Sequence, residues 1–213
     1  MRRARFTSRR EAGQVLAAEV APRMPVGRAV VLGLPRGGVP VAAEVATRLG
    51  AALDVLTVRK IGTPGHVELA IGAIASGGLV VRNDDLIARL GLSESDVAAR
   101  IDVAAAELAE RDQRLRGDRP PPALADAVVV LVDDGLATGA TMRAAVAAVR
   151  SAGPARIVIA VPVGPPDTVA DLTGLVDVVV CPRQPATFVA VGEWYVDFSA
   201  TTDDDVIALL DRH

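Results

Sequence analysis

The residues best suited to chemistry gather in one segment, Val129-Val130-Leu131-Val132-Asp133-Asp134-Gly135-Leu136-Ala137-Thr138-Gly139-Ala140-Thr141. Its apolar run reads as a buried strand. The strand ends in two adjacent carboxylates, at the edge where open α/β sheets bind ligands. A loop of small residues follows and turns into a helix, whose first amides lack intrahelical partners and whose dipole is positive at that end. Ala137, Gly139 and Ala140 let an anion come close to the backbone, and Thr138 and Thr141 add hydroxyl donors. This is the chemistry of a phosphate cradle. It lacks the Gly-Lys-Ser/Thr ending of a nucleoside-triphosphate loop. Asp133 and Asp134 would repel the phosphate, so they are expected to face sugar hydroxyls or a magnesium ion. A phosphate beside a diol describes a phosphorylated ribose.

Three other groups of residues could serve such a ligand. Pro35-Arg36-Gly37-Gly38 follows an apolar run and precedes a helical stripe, which puts it at the same kind of strand edge. Arg36 offers a fork of donors, and Gly37 and Gly38 permit unusual backbone angles, as a second anion site needs. Arg59-Lys60-Ile61-Gly62-Thr63-Pro64-Gly65 opens a polar stretch that reaches Glu68. A flexible loop there, delivering the cation of Lys60 or Arg59, would neutralise a leaving group and exclude water. His66 and Glu68 are the groups further along it that could move a proton. Finally, four of the five aromatic residues lie between Phe188 and Phe198. Phe188, Trp194 and Tyr195 are expected to offer faces on which a flat acceptor ring stacks, although such residues also fill satellite cores.

The elements that must position these groups follow from the hydrophobic period. Ser8 and Glu11 have capping-box spacing ahead of a first helix. Ala29–Leu34 and Leu53–Val58 read as strands, with a helix over Val39–Leu49 between them. Leu69–Ile74 and Leu79–Val81, split by Ser76-Gly77-Gly78, are expected to form a hairpin. Polar helices span Asp84–Leu90 and Ser93–Arg116, before Pro120-Pro121-Pro122. Strands at Ala127–Val132, Arg156–Val161 and Val176–Cys181 then alternate with helices at Thr141–Ala152 and Asp167–Leu172. A last helix, opened by Asp203, Asp204 and Asp205, ends at Leu210. Strand–helix alternation with nearly continuous apolar strands predicts a mostly parallel sheet flanked by helices, in one α/β domain over residues 1–213.

Composition narrows the class. The chain has 213 residues, of which 51 % are hydrophobic and 23 % charged, which fits a folded domain with a real core. A net charge of -3 and a pI near 5.4 argue against a nucleic-acid partner. The one cysteine, Cys181, excludes a disulfide framework. No apolar run is long enough for a membrane span, and no signal core follows the basic N-terminus, so the expected location is the cytoplasm. Of 23 basic residues, only Lys60 is a lysine.

The Val129–Thr141 segment resembles the signature of the type I phosphoribosyltransferases. The resemblance implies their fold, a mostly parallel sheet flanked by helices with a small hood from the chain ends. It implies that Asp133 and Asp134 hold the ribose hydroxyls of phosphoribosyl pyrophosphate and that Ala137, Thr138, Gly139, Ala140 and Thr141 bind its 5-phosphate. Arg36, Gly37 and Gly38 match the family's pyrophosphate loop, often built with a non-proline cis peptide. Arg59 and Lys60 resemble the start of the mobile loop of adenine-type enzymes, although Pro64 comes one position early. Ala137 stands where hypoxanthine-type enzymes have the acid they use as a base. The Phe188–Phe198 segment resembles the C-terminal part of hypoxanthine-type enzymes, in which Asp197, offset by one residue, would lie near magnesium.

The implied reaction transfers ribose 5-phosphate to a small nitrogen acceptor such as a nucleobase, with Mg2+ as cofactor. Asp134 and Asp197 would be metal ligands, and Lys60, Arg59 and Glu68 catalytic groups. A homodimer fits the class. The alternatives are a phosphoribosyl-pyrophosphate sensor without turnover, or a hydrolase of a phosphorylated sugar using Glu68 to activate water.

Overall fold

The structure, a computed structural model, describes residues 5–24, 27–63 and 66–213; for residues 66–69 it describes the backbone alone. The chain runs α1 (Arg9–Val20), β1 (Ala29–Gly33), α2 (Gly38–Leu49), β2 (Ala52–Val55), β3 (Val58–Thr63), β4 (His66–Ala75), β5 (Leu79–Arg82), α3 (Asp84–Arg89) and α4 (Glu94–Arg116). It continues through β6 (Val128–Val132), α5 (Ala140–Ser151), β7 (Arg156–Ala160), α6 (Pro166–Thr173), β8 (Val178–Val180) and α7 (Asp203–Leu210).

Five strands form a parallel sheet in the order β2-β1-β6-β7-β8. Alternation along each strand sends side chains to two cores. Val31, Val130, Val132 and Val158 pack with α1, α2 and α7, whereas Leu32, Val129, Leu131 and Ile159 pack with α5 and α6. From β1 the chain winds one way to β2, and from β6 it winds the other way to β7 and β8. The order therefore reverses between β1 and β6, and their C-terminal ends flank the crevice in which such sheets take ligands.

The expected strand over Leu53–Val58 is divided. The Leu56 amide still donates to Gly33 O at 3.0 Å, but Thr57 bonds to Ser76 instead. The chain is thereby handed to a second sheet, the antiparallel β3-β4-β5. The Arg59–Glu68 stretch, expected as a loop, supplies β3 and the start of β4, with only Ile61 and Thr63 buried along β3. Pro64 and Gly65 lie outside the described residues. The Ser76-Gly77-Gly78 hairpin forms as expected, and Gly77 and Gly78 take positive φ in its turn.

Helix α4 covers this small sheet with Val97, Ala104 and Leu108 against Ile61, Ile71 and Ile74. A full capping box at Ser93 and Asp96 starts it. Its far end is pinned by charge: Arg116 Nε lies 3.0 Å from Asp54 Oδ2 on β2, and its guanidinium also donates to Val55 O. Asp112, one turn earlier, accepts from the Ser76 hydroxyl at 3.0 Å.

The two chain ends meet. The Phe6 amide donates to Trp194 O, and the Val196 and Asp197 amides donate to Phe6 O and Thr7 O. Ser8 caps α1 through the Glu11 amide, but Glu11 turns its carboxylate to Thr7, so the capping box is only half formed. Among the described residues no helix is long and apolar enough to cross a membrane.

Candidate functional site

The acidic pair sits at the end of β6, at the reversal point. Asp133 accepts its neighbour's amide at 2.9 Å. Burial and the adjacent Asp134 push the Asp133 carboxyl well above the ordinary range, and burial raises Asp134 too. Two largely enclosed acids side by side favour a counter-charge or hydroxyl donors.

Glycines of the β1 loop press on this pair. The Leu34 amide donates to Val132 O at 2.8 Å, which docks the loop on the end of β6. The Pro35–Arg36 peptide is cis, the non-proline form expected of this loop. A Cβ on Gly37 would overlap Asp134 Oδ2, and one on Gly38 would lie 2.7 Å from Val132 O. No side chain fits at either position, so both glycines are fixed by close approach rather than by turn geometry. Arg36 is half exposed and lies 3.7 Å from Asp203 Oδ1, while Asp203 Oδ2 is 3.8 Å from Arg114. Asp203, expected mainly as helix-end charge, therefore also tethers the loop arginine.

The loop after the acids has the form expected of a cradle. Gly139 takes φ +73 at the N-cap of α5, with no side-chain cap and no acid in the first helical turn. Thr168 of α6 donates to Ala137 O at 3.0 Å, and its methyl fills the space beside Gly139. Ala137, Thr138, Ala140 and Thr141 are exposed around these amides, with Thr138 accepting from the Ala140 amide. The exposed helix start remains positive in potential and unfilled by the protein's own carboxylates.

Arg9 of α1 is the residue that sequence reasoning missed. Its Nε lies 2.8 Å from Asp134 Oδ2, with both side chains largely buried. Its guanidinium stacks 3.9 Å from the centre of the Phe198 ring and donates to Ser199 O at 2.7 Å. The Tyr195 hydroxyl adds a 2.6 Å bond to Asp134 O. Both chain ends thus brace the second acid. Only the helical position of Arg9, at the start of α1, could have marked it out among so many arginines.

The aromatic expectation needs correction. Trp194 and Tyr195 are buried with Phe6, Ala12 and Val163, and Phe188 packs partly buried against them. Trp194 and Tyr195 offer no open face to an acceptor; they form the small core that holds the chain ends together. Among the described residues Phe198 is the exposed ring of this segment, and Arg9 covers it.

Arg59 and Lys60 lie on β3, not in a loop. Arg59 pairs with Glu107 of α4 and lines a cleft of about 260 Å³ that also includes Pro35 and Thr141. Lys60 lines a neighbouring, larger cleft with Arg100. The structure thus brings Arg59, rather than Lys60, beside the two loops. The side chains of Glu68 and His66 lie outside the described residues. Asp197 accepts from the Ser199 amide and lines a third cleft with Arg9; no described contact joins it to Asp134.

The comparisons with known proteins agree with this geometry. Residues 11–198 match the phosphoribosyl transferase domain. The chain belongs to that family. Two Mycobacterium tuberculosis proteins, from strains H37Rv and CDC 1551 and named provisionally as phosphoribosyl transferases, are 47 % identical over 207 residues, 97 % of this chain. The match covers 46 % of each, so the chain spans about half the length of these curated relatives. The crystal structure of TT1426 from Thermus thermophilus is 46 % identical, covers 97 % of both chains and superposes with a TM-score of 0.87. The structure of AQ2163 from Aquifex aeolicus, 12 % identical with a TM-score of 0.51 over 83 % of this chain and 74 % of its own, shares the fold. The residues matched to the phosphoribosyl transferase domain include both loops, Pro35–Gly38 and Ala137–Thr141, and the acid pair Asp133-Asp134 between them.

Magnesium demands little of such a site. It keeps several waters and takes one or two carboxylates together with substrate oxygens. Among the described residues no group of three or more potential metal ligands exists. The exposed edge of the buried acid pair fits an ion that arrives with a polyanionic ligand better than one held by the protein alone.

Proposed function

We propose that this phosphoribosyl transferase domain binds phosphoribosyl pyrophosphate with magnesium and transfers ribose 5-phosphate to a small nitrogen acceptor of the nucleobase class. The observation that supports the reading is the close approach of Gly37 and Gly38 to the acid pair, which brings the Pro35–Gly38 loop against the carboxylates that the Ala137–Thr141 loop follows.

In this reading the amides and hydroxyls of Ala137–Thr141 hold the 5-phosphate. Asp133 and Asp134 accept hydrogen bonds from the ribose hydroxyls. Asp134 would also be the protein's ligand to magnesium, whose charge would offset that of the departing pyrophosphate. Arg36 and the loop amides hold the leaving group from the protein side. The ribosyl centre gains positive charge as the C–O bond to pyrophosphate lengthens. Catalysis then consists of positioning and of charge balance at the two ends of the ligand. Arg59 supplies charge from β3; Lys60 would act only if the hairpin moves. Glu68 is the candidate proton acceptor for the incoming nitrogen. A homodimer and a cytoplasmic location are further parts of this proposal.

Calorimetry with phosphoribosyl pyrophosphate and magnesium tests the binding step. Heat is expected for the wild type and none for the double substitution Asp133→Asn/Asp134→Asn; equal binding by both overturns the reading. Pyrophosphate release is then measured over a panel of nucleobases. Tight binding with no release for any base would instead favour a sensor of phosphoribosyl pyrophosphate.

A further inference from the structure

The cleft lined by Pro35, Thr57, Arg59, Glu107, Arg111 and Thr141 joins three parts of the chain. Pro35 opens the β1 loop, Thr141 stands in the first turn of α5, and Glu107 and Arg111 descend from α4, the long helix over the second sheet. Two features of its lining bear on what it could receive.

First, Thr57 is only 4 % exposed, and its hydroxyl makes no hydrogen bond within the described protein. A buried hydroxyl left without a partner within the protein costs stability and calls for a partner from outside it. The Thr57 backbone is fully engaged, with its amide on Ser76 Oγ and its carbonyl on the Ser76 amide. The hydroxyl is therefore held rigidly while remaining unpaired. Valine, which has the same shape, would fill the position at lower cost.

Second, Arg111 forms no ion pair among the described residues, while neighbouring arginines of α4 do: Arg114 with Glu110 and Arg116 with Asp54. The helix that carries it is held at its C-terminal end by the buried Arg116–Asp54 pair and by the Ser76–Asp112 bond. Arg111 lies one residue before Asp112 and so projects from a fixed support. The carboxylate in the cleft, Glu107, is paired to Arg59, which leaves the charge of Arg111 uncompensated.

We propose that Arg111 and the Thr57 hydroxyl form an oxyanion-binding subsite that receives the pyrophosphoryl group, with Glu107 as the internal carboxylate that the anion displaces from Arg59. The inference rests on the phosphoribosyl pyrophosphate reading above and adds to it a contribution from α4 that none of the sequence motifs signalled. An entering pyrophosphate meets two guanidinium forks and must open the wall of the cleft to reach the enclosed Thr57 hydroxyl, a donor set that matches phosphate oxygens. Glu107 repels it, and so tunes affinity downward and helps the product leave.

The test measures the affinity of inorganic pyrophosphate with magnesium by calorimetry. Arg111→Met is expected to weaken it at least tenfold, and Arg111→Lys less. Thr57→Val is expected to weaken it several-fold while leaving the thermal midpoint unchanged or higher, a combination that a purely structural threonine would not give. Glu107→Gln is expected to tighten it several-fold. Ribose 5-phosphate affinity should stay constant across all four variants. Unchanged pyrophosphate affinity in Arg111→Met, or a lowered midpoint without an affinity change in Thr57→Val, overturns the inference. If those variants behave like wild type while Asp133→Asn/Asp134→Asn abolishes phosphoribosyl pyrophosphate binding, the inference alone fails. If the wild type binds neither anion, the functional reading fails with it.

Discussion

Arg9 Nε and Asp134 Oδ2 lie 2.8 Å apart although the two residues are 125 positions apart in the chain. The contact opposes the effect of burial on the second acid. Burial raises the Asp134 carboxyl, and Arg9 is the strongest influence pulling it back down. The guanidinium is itself fixed by Phe198 and Ser199. Removing it by Arg9→Met should weaken phosphoribosyl pyrophosphate binding about tenfold, the worth of one charge-assisted hydrogen bond. Arg9→Lys should restore part of the loss. Calorimetry on the three proteins decides the matter, and tighter binding by Arg9→Met would show that Arg9 competes with the ligand rather than positioning Asp134.

Gly37 and Gly38 make a second test of the site. Gly37→Ala would drive a methyl into the Asp134 carboxylate. We expect loss of phosphoribosyl pyrophosphate binding with far-UV circular dichroism unchanged. Gly38→Ala meets backbone, Val132 O and Asp133 Cα, and is expected to cost about 1–3 kcal/mol of stability by overpacking. Denaturant melts check the second value; a wild-type midpoint for Gly38→Ala would mean that the loop has room to shift.

The Arg116–Asp54 pair predicts a large effect on stability. Both side chains are nearly enclosed. Replacing Arg116 by Met leaves the Asp54 carboxylate buried without its partner, at a cost of about 3–5 kcal/mol. Urea unfolding of Arg116→Met reads it directly. A loss below about 1 kcal/mol, the scale of an exposed pair, would show that water or another cation reaches Asp54.

Cys181 gives a pH prediction. Burial pushes its thiol up to about 12, against an ordinary value of 9.0, and the thiol also donates to Arg183 O. The folded protein should therefore hold about a thousandfold less thiolate at pH 8 than an unfolded chain, and iodoacetamide should label it only on unfolding. The fold favours the neutral thiol, so this contribution to stability is whole below pH 9 and is lost as pH climbs toward 12. Rapid labelling of the native protein at pH 8 would contradict the burial.

Most of the large sheet was legible because its strands are apolar on both faces and its helices carry clear stripes. The acid–loop–helix segment was legible for the same reason, since its residue types are strained choices for anything but a ligand edge. The second sheet was not. Along β3 only Ile61 and Thr63 point inward, too short an alternation to separate a strand from a polar loop. The run Leu53–Val58 looked continuous because hydrophobicity does not record that Thr57 takes Ser76 as its partner in place of β1. Trp194 and Tyr195 were ambiguous in kind: an aromatic ring suits a stacking site and a satellite core equally well, and only the pairing of Phe6 with the tail decides for the core. Arg9 and Arg111 were hidden by number, as two arginines among 22. Lys60 stood out by its rarity, yet its charge lies in the neighbouring cleft.

The Leu34–Val132 hydrogen bond ties the β1 loop to the acid end of β6, on neighbouring strands about 4.8 Å apart. The starting points of the two loops proposed to bind anions are therefore fixed by backbone. Side-chain changes can retune charge at either end, but they cannot stretch this gauge. If the ligand is phosphoribosyl pyrophosphate, as proposed, the protein would measure it by the separation of its two phosphate-bearing ends, and a sugar phosphate that carried them closer together or further apart would meet one loop and miss the other.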